Sequence, residues 1–295
     1  MRHRRSVEIT VRAAILSVSM ATARASRLRR FLGASLVLLS ACGPVRLFVP
    51  SPAHQFHARA VTVAGATYRY QVYVPAERPA GAKLPVVVFL HGGGERGDDN
   101  IRQTQEGLGP VLWKSHGRFP FLVVFPQCRG RFWAAPEMEA QALAALDAAV
   151  VEWGGDPARV YLTGHSMGGY GTWVIGAHKP GRFAALVPVS GGVRPPPWLP
   201  ITTPAERRGP EIYDEIARAI GQTPVWALHG ADDMLVPARE SRKLVAAMRR
   251  AGATPRYTEY ADTGHSDAAE KAYNDPALWQ WLLAQRLPER AAGRR

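Results

Sequence analysis

The chain has 295 residues, 46% of them apolar and 21% charged, the ordinary make-up of a globular protein large enough to enclose one core. Its formal charge of +13 would suit a nucleic-acid partner. However, eight arginines against one glutamate in residues 1–41 carry +7 of it and leave +6 for the rest, which removes that reading.

The arginines precede the apolar run Phe31–Leu39. That run is shorter than the ~20 residues of a membrane-spanning helix and reads as the h-region of a signal peptide covering residues 1–41. Met20 is an alternative start, because Met20–Arg30 already makes a compact basic segment. The following Leu39-Ser40-Ala41-Cys42 resembles a bacterial lipobox, in which Cys42 would be lipidated and become the mature N-terminus. An ordinary cleaved signal with an incidental cysteine is the alternative. With Cys42 so used, Cys128 is alone, no disulfide is available, and the thiol is expected to pack as a small buried hydrophobe. Residues 42–59 are Pro-rich and aperiodic, as a tether would be, so order is expected from Ala60.

Val61–Val63 and Tyr68–Val74 alternate with period two around Gly65 and predict an antiparallel hairpin. Val86–Leu90, Phe121–Phe125, Val160–Leu162, Ala184–Val189 and Val225–Leu228 are continuous apolar runs, the signature of parallel strands covered on both faces. A further strand is expected at Arg256–Tyr260. Helical patterns cover Pro136–Trp153, Gly168–His178, Ala238–Ala251 with Gly252 as its stop, and Pro276–Leu287 with Asp275 as its cap. Alternating strands and helices predict an α/β fold, a mostly parallel doubly wound sheet with an N-terminal antiparallel hairpin, over residues 60–290. Residues 193–222 break the rhythm: a Pro-rich stretch and a short helix, Glu211–Ile220, form an insertion expected over the C-terminal edge of the sheet.

Gly164-His165-Ser166-Met167-Gly168 is a G-x-S-x-G sequence between a buried strand and a helix, the setting in which a serine hydroxyl is thrust above the sheet beside a helix N-terminus. A serine needs a base, and the base needs an acid to fix its tautomer; both should follow in chain order on later strand-to-helix loops. His229-Gly-Ala-Asp232-Asp233-Met-Leu-Val-Pro237 follows one strand and supplies two carboxylates. Asp232 could instead cap the next helix. Gly264-His265 follows the last strand and supplies the imidazole. Of nine histidines, His3 falls in the leader, His54 and His57 in the tether, and His116 and His178 at surface or helix-end positions. His91 and His229 end strands, His165 is expected to order the turn, and only His265 satisfies chain order. The oxyanion donors expected are the backbone N–H of Met167 and that of Gly93 in Leu90-His-Gly-Gly-Gly-Glu95, with Gly94 next in line. Read as a phosphate cradle, this loop lacks the Gly-Lys-Ser/Thr ending. Glu95–Asn100 would stiffen the loop or touch substrate, and Trp133 and Trp198 would line a pocket or simply pack.

Taken together, Leu90–Asn100, Gly164–Trp173, the Asp233 loop and Gly264-His265 resemble the esterase and "predicted peptidase" branch of the α/β hydrolases over about residues 60–287. That branch is similar to prolyl oligopeptidase catalytic domains, dienelactone hydrolases and feruloyl or polyhydroxybutyrate esterases. In its H-G-x-x-D-x-x-V-P pattern the acid takes the position of Asp233. The resemblance implies hydrolysis through an acyl-enzyme by Ser166, His265 and Asp233, without cofactor or metal, on a small-molecule ester. Two rivals stand beside it: a peptidase of short peptides, and a non-catalytic binding lipoprotein. A monomer, exported to the cell envelope and touching membrane only through Cys42, with no nucleic-acid partner, completes the expectation.

Overall fold

A computed structural model describes residues 55–78, 80–115, 119–199 and 209–288. The expected signal peptide, Cys42 and most of the expected tether lie outside the described residues, as do His54, His116 and residues 200–208 of the insertion. Eight strands form one sheet in the order β1-β2-β4-β3-β5-β6-β7-β8: β1 Phe56–Val63, β2 Ala66–Tyr73, β3 Leu84–Leu90, β4 Leu122–Pro126, β5 Gly155–His165, β6 Ala185–Val189, β7 Trp226–Gly230 and β8 Arg256–Tyr260. β1 with β2 and β2 with β4 are antiparallel; every other pairing is parallel. The described helices are α1 Leu108–Ser115, α2 Pro136–Trp153, α3 Met167–His178, α4 Ile212–Ile220, α5 Arg239–Arg250, α6 His265–Asn274 and α7 Pro276–Leu283.

The reason for two helical layers is visible in β3, whose seven residues are all buried. Val86, Val88 and Leu90 enter the core beneath α2, α3, α4 and α5, while Val87 and Phe89 enter a second core beneath α1, α6 and α7. Each such side chain contributes about 1.5–3 kcal/mol by leaving water, so neither face of the strand tolerates exposure. The hairpin turns at Ala64 and Gly65, both at positive φ (47° and 81°), as a two-residue hairpin of matching twist requires.

Four expectations are corrected. Strand β1 starts at Phe56, not near Ala60, because Phe56 stacks on Trp113 at 4.6 Å and meets Tyr73 at 5.5 Å; His57 therefore belongs to the sheet and not to a tether. Helices α1 and α6 were not foreseen. The terminal helix α7 ends at Leu283, and Leu287 continues as non-helical chain whose N–H bonds the Ala158 carbonyl at 2.9 Å. His265 is the first residue of α6, not part of a free loop.

Candidate active site

Strands β3, β5, β7 and β8 all run parallel, so the segments after their C-terminal ends meet along one rim of the sheet. At the end of β5 the chain reverses into α3 through Ser166, which sits at φ 57°, ψ −118°. A serine in that region is strained by about 1–3 kcal/mol, and the surroundings hold it there. The Ser166 N–H bonds the Val189 carbonyl at 3.0 Å, and its own carbonyl accepts from Tyr170 N–H at 3.0 Å. The flanking glycines are there for space: a Cβ on Gly168 would stand 1.8 Å from the Leu90 carbonyl oxygen, and one on Gly164 would stand 2.6 Å from the same atom. Met167 is the first residue of α3, so its N–H is one of the free donors at the helix N-terminus.

The acid comes from the β7 loop. Asp233 is buried, its Oδ1 accepts from Leu235 N–H at 3.0 Å and Val236 N–H at 2.8 Å, and its Oδ2 lies 2.6 Å from His265 Nδ1. Burial alone would disfavour its charge. Hydrogen bonds from His229 and His265 and the adjacent backbone N–H outweigh that and hold the carboxyl well below the usual carboxylate range. His229 takes Ser241 Oγ at Nδ1 (2.7 Å) and points Nε2 at the Val236 carbonyl (2.8 Å) and Asp233 Oδ2 (3.3 Å), which anchors the loop. Asp232, the alternative acid, is exposed. With an ionised carboxylate at Nδ1, the proton of a neutral His265 sits on that nitrogen and leaves Nε2 as an acceptor. His265 and Ser166 line the same cavity of about 330 Å³ without a direct hydrogen bond, a contact that commonly tightens only when substrate is bound.

Gly92, Gly93 and Gly94 form the facing wall. Gly92 lies against the serine: a Cβ there would be 3.8 Å from Ser166 Cβ. The polar stretch that follows is tied into a hydrogen-bonded network, and its Glu95 and Arg96 also line the cavity. Arg96 Nε donates to the Gly93 carbonyl at 2.8 Å, Gly97 N–H donates to the Cys128 carbonyl at 3.0 Å, and Gln127 Nε2 donates to Asp99 Oδ1 at 2.9 Å while its Oε1 accepts from Asn100 N–H at 2.7 Å. Gln127, almost fully buried, had no sequence signal. His91 anchors the same loop by accepting Cys128 N–H at Nε2 (3.0 Å). Cys128 packs as expected, and burial pushes its thiol up to about 12. Trp133 does not line the cavity; it is fully buried and donates to the His91 carbonyl at 2.9 Å. Trp198 is 58% exposed and bonds the Leu235 carbonyl at 3.1 Å, beside Leu199 and Leu235, the apolar side of the cavity. Among the described residues no cluster of His, Cys, Asp and Glu could hold a metal ion, and no helix is long and apolar enough to cross a membrane.

Of the two carboxyl groups beside this wall, Glu95 belongs to the polar stretch marked in the sequence, and sequence reasoning missed Glu106. Glu106 pairs with His165 Nδ1, and Glu95 leans on Glu106; burial and the Glu106 charge raise Glu95 to about 7. Glu106 precedes α1 in a segment without periodic pattern, so nothing local marked it.

Comparison with known proteins bears on the fold and the family. An uncharacterized secreted protein of Arthroderma benhamiae is 25% identical over 221 residues, 69% of this chain and 23% of the relative. A Salmonella typhimurium protein provisionally named carboxymethylenebutenolidase is 30% identical over 155 residues, 49% of this chain and 53% of the relative. The chain thus spans between about a quarter and a half of the length of these curated relatives. Among solved structures, a thermostable esterase superposes with a TM-score of 0.61 at 28% identity, covering 79% of this chain and 64% of the other. The S-formylglutathione hydrolase of Staphylococcus aureus shares the fold, with a TM-score of 0.60 at 14% identity, covering 77% and 98%. The dienelactone hydrolase family model matches residues 126–280, more than half of the chain and the part that carries the elbow, the acid loop and the histidine. On that match, and with the α/β-hydrolase sheet beneath it, the chain belongs to the dienelactone hydrolase family.

Proposed function

We propose that the protein is a serine hydrolase that cleaves carboxylic esters through an acyl-enzyme. The observation that carries this reading is the 2.6 Å contact between His265 Nδ1 and the buried Asp233 carboxylate, at the edge of the cavity that also holds the strained Ser166. Asp233 fixes the tautomer, His265 Nε2 takes the Ser166 proton, and the freed oxygen attacks the ester carbonyl. The N–H groups of Met167 and Gly93 hold the oxyanion, each such donor lowering the barrier by roughly 3–4 kcal/mol. His265 returns the proton to the departing alcohol, and water then repeats the sequence to release the acid. Leu199 and Leu235 on one side of the cavity favour an acyl or aryl group of apolar character. Export to the cell envelope through the leader and Cys42 belongs to the same proposal, and a relative described as secreted agrees with it.

The test is direct. Ser166→Ala should abolish hydrolysis of a short-chain p-nitrophenyl ester and labelling by a fluorophosphonate probe, and a variant retaining the wild-type rate overturns the reading. Asp233→Asn should lower kcat by about 10⁴ through loss of the correct tautomer, measured on the same ester. Faster turnover of short peptides than of any ester would move the assignment to a peptidase, and an unlabelled wild-type protein would make it a binding protein.

A further inference from the structure

His165, next to the nucleophile at the end of β5, is 2% exposed, and both of its ring nitrogens face oxygen acceptors. Its Nε2 lies 3.1 Å from the backbone carbonyl of His265, an atom that can only accept, so Nε2 carries a proton. Its Nδ1 meets Glu106 Oε1, and that contact needs a proton of its own. Two protons are therefore shared among the ring, a carbonyl and a carboxyl, and the stronger acid gives its proton up. We propose that Glu106 and His165 form an ion pair in the cavity wall, the imidazole buried and the carboxylate half-buried, whose imidazolium, clamped between the Glu106 carboxylate and the His265 carbonyl, positions the base over the nucleophile. The inference rests on the reading of His265 as the base.

The geometry explains why such a tie is needed. His265 opens α6 after Gly264, so its backbone lacks a preceding helical turn to hold it. His165 supplies that hold from the rigid centre of the sheet, and the two rings lie 4.6 Å apart at 42°. The groups facing the pair are Glu95, His91, Asp233, His265 and Tyr273, with Arg96 turned aside to the Gly93 carbonyl. Burial opposes a charge on His165, but Glu106, the His265 carbonyl and Asp233 together raise its affinity for the proton above the ordinary value. Glu106 and His165 are positioning residues: they act on the reaction through His265.

Nitrogen NMR of the ring in the full chain reads the protonation state. Both nitrogens of His165 should carry protons at neutral pH, and a neutral ring overturns the proposal even if no variant folds. In kinetics, Glu106→Ala should lower kcat on the order of 10²-fold, with KM within about twofold, because misplacing the base by a fraction of its reach costs the transition state and not ground-state binding. Glu106→Gln should recover most of this loss, since its amide can donate to Nδ1 and leave Nε2–H on the His265 carbonyl. An unchanged kcat in Glu106→Ala, or a rise in KM alone, overturns the proposal; the latter would mean that Glu106 touches substrate. Fluorophosphonate labelling separates the two readings. Labelling lost in His265→Ala but at the wild-type rate in Glu106→Ala keeps the triad and removes this tie, whereas hydrolysis surviving in Ser166→Ala removes the triad itself.

Discussion

Ser166 is held at a backbone angle that a glycine would occupy without strain. Ser166→Gly should therefore lose all hydrolysis yet gain about 1–2 kcal/mol of stability, a rise of roughly 2–8 °C in Tm for a domain of this size by calorimetry. Glu95 stores a second tension. Its carboxyl is raised from 4.5 to about 7, so the folded state binds a proton that the unfolded state has already released between those values. The stabilising contribution of that proton is complete below about pH 4.5 and is lost as pH rises through about 7. Glu95→Gln should then leave Tm near the wild-type value at pH 5 and exceed it at pH 8; the same Tm difference at both would refute the tension. Ser166, Asp233 and His265 were legible because each sits in a short pattern tied to a strand end. Glu106 and Gln127 were not, because a buried or half-buried polar side chain is defined by what the fold brings to it, and its neighbours in sequence are silent.

At the level of elements, the strands were readable because covered parallel strands need unbroken apolar runs, and β3 buries all seven of its residues. The two unforeseen helices lack the signal that made α2 obvious. α1 has Gly109 and Pro110 within its eight residues, and α6 buries only three alanines and Tyr273, a stripe too thin to register as amphipathic. The hairpin offers a prediction of its own. Ala64 pays for the turn with a left-handed φ of 47°, a conformation that asparagine adopts more readily. Ala64→Asn should stabilise the fold by about 0.5–1 kcal/mol, read as a shift in denaturant midpoint at constant m-value, with no change in ester hydrolysis.

For the whole molecule, the expected export and anchoring are tested by fractionation: the intact chain should partition with membranes, and Cys42→Ser should release it to the soluble fraction with its activity intact. The two outermost strands of the sheet, β1 and β8, bear on life in such a setting. β8 is five residues long, and its Glu259 is engaged by Arg242 Nε at 2.7 Å; β1 presents Arg59, bound to Glu152 of α2 by Nε at 2.8 Å. Charged, short or tethered margins of this kind make poor templates for a neighbour's backbone. Neither border of the sheet therefore invites another chain to extend it by strand addition, even where copies are crowded together.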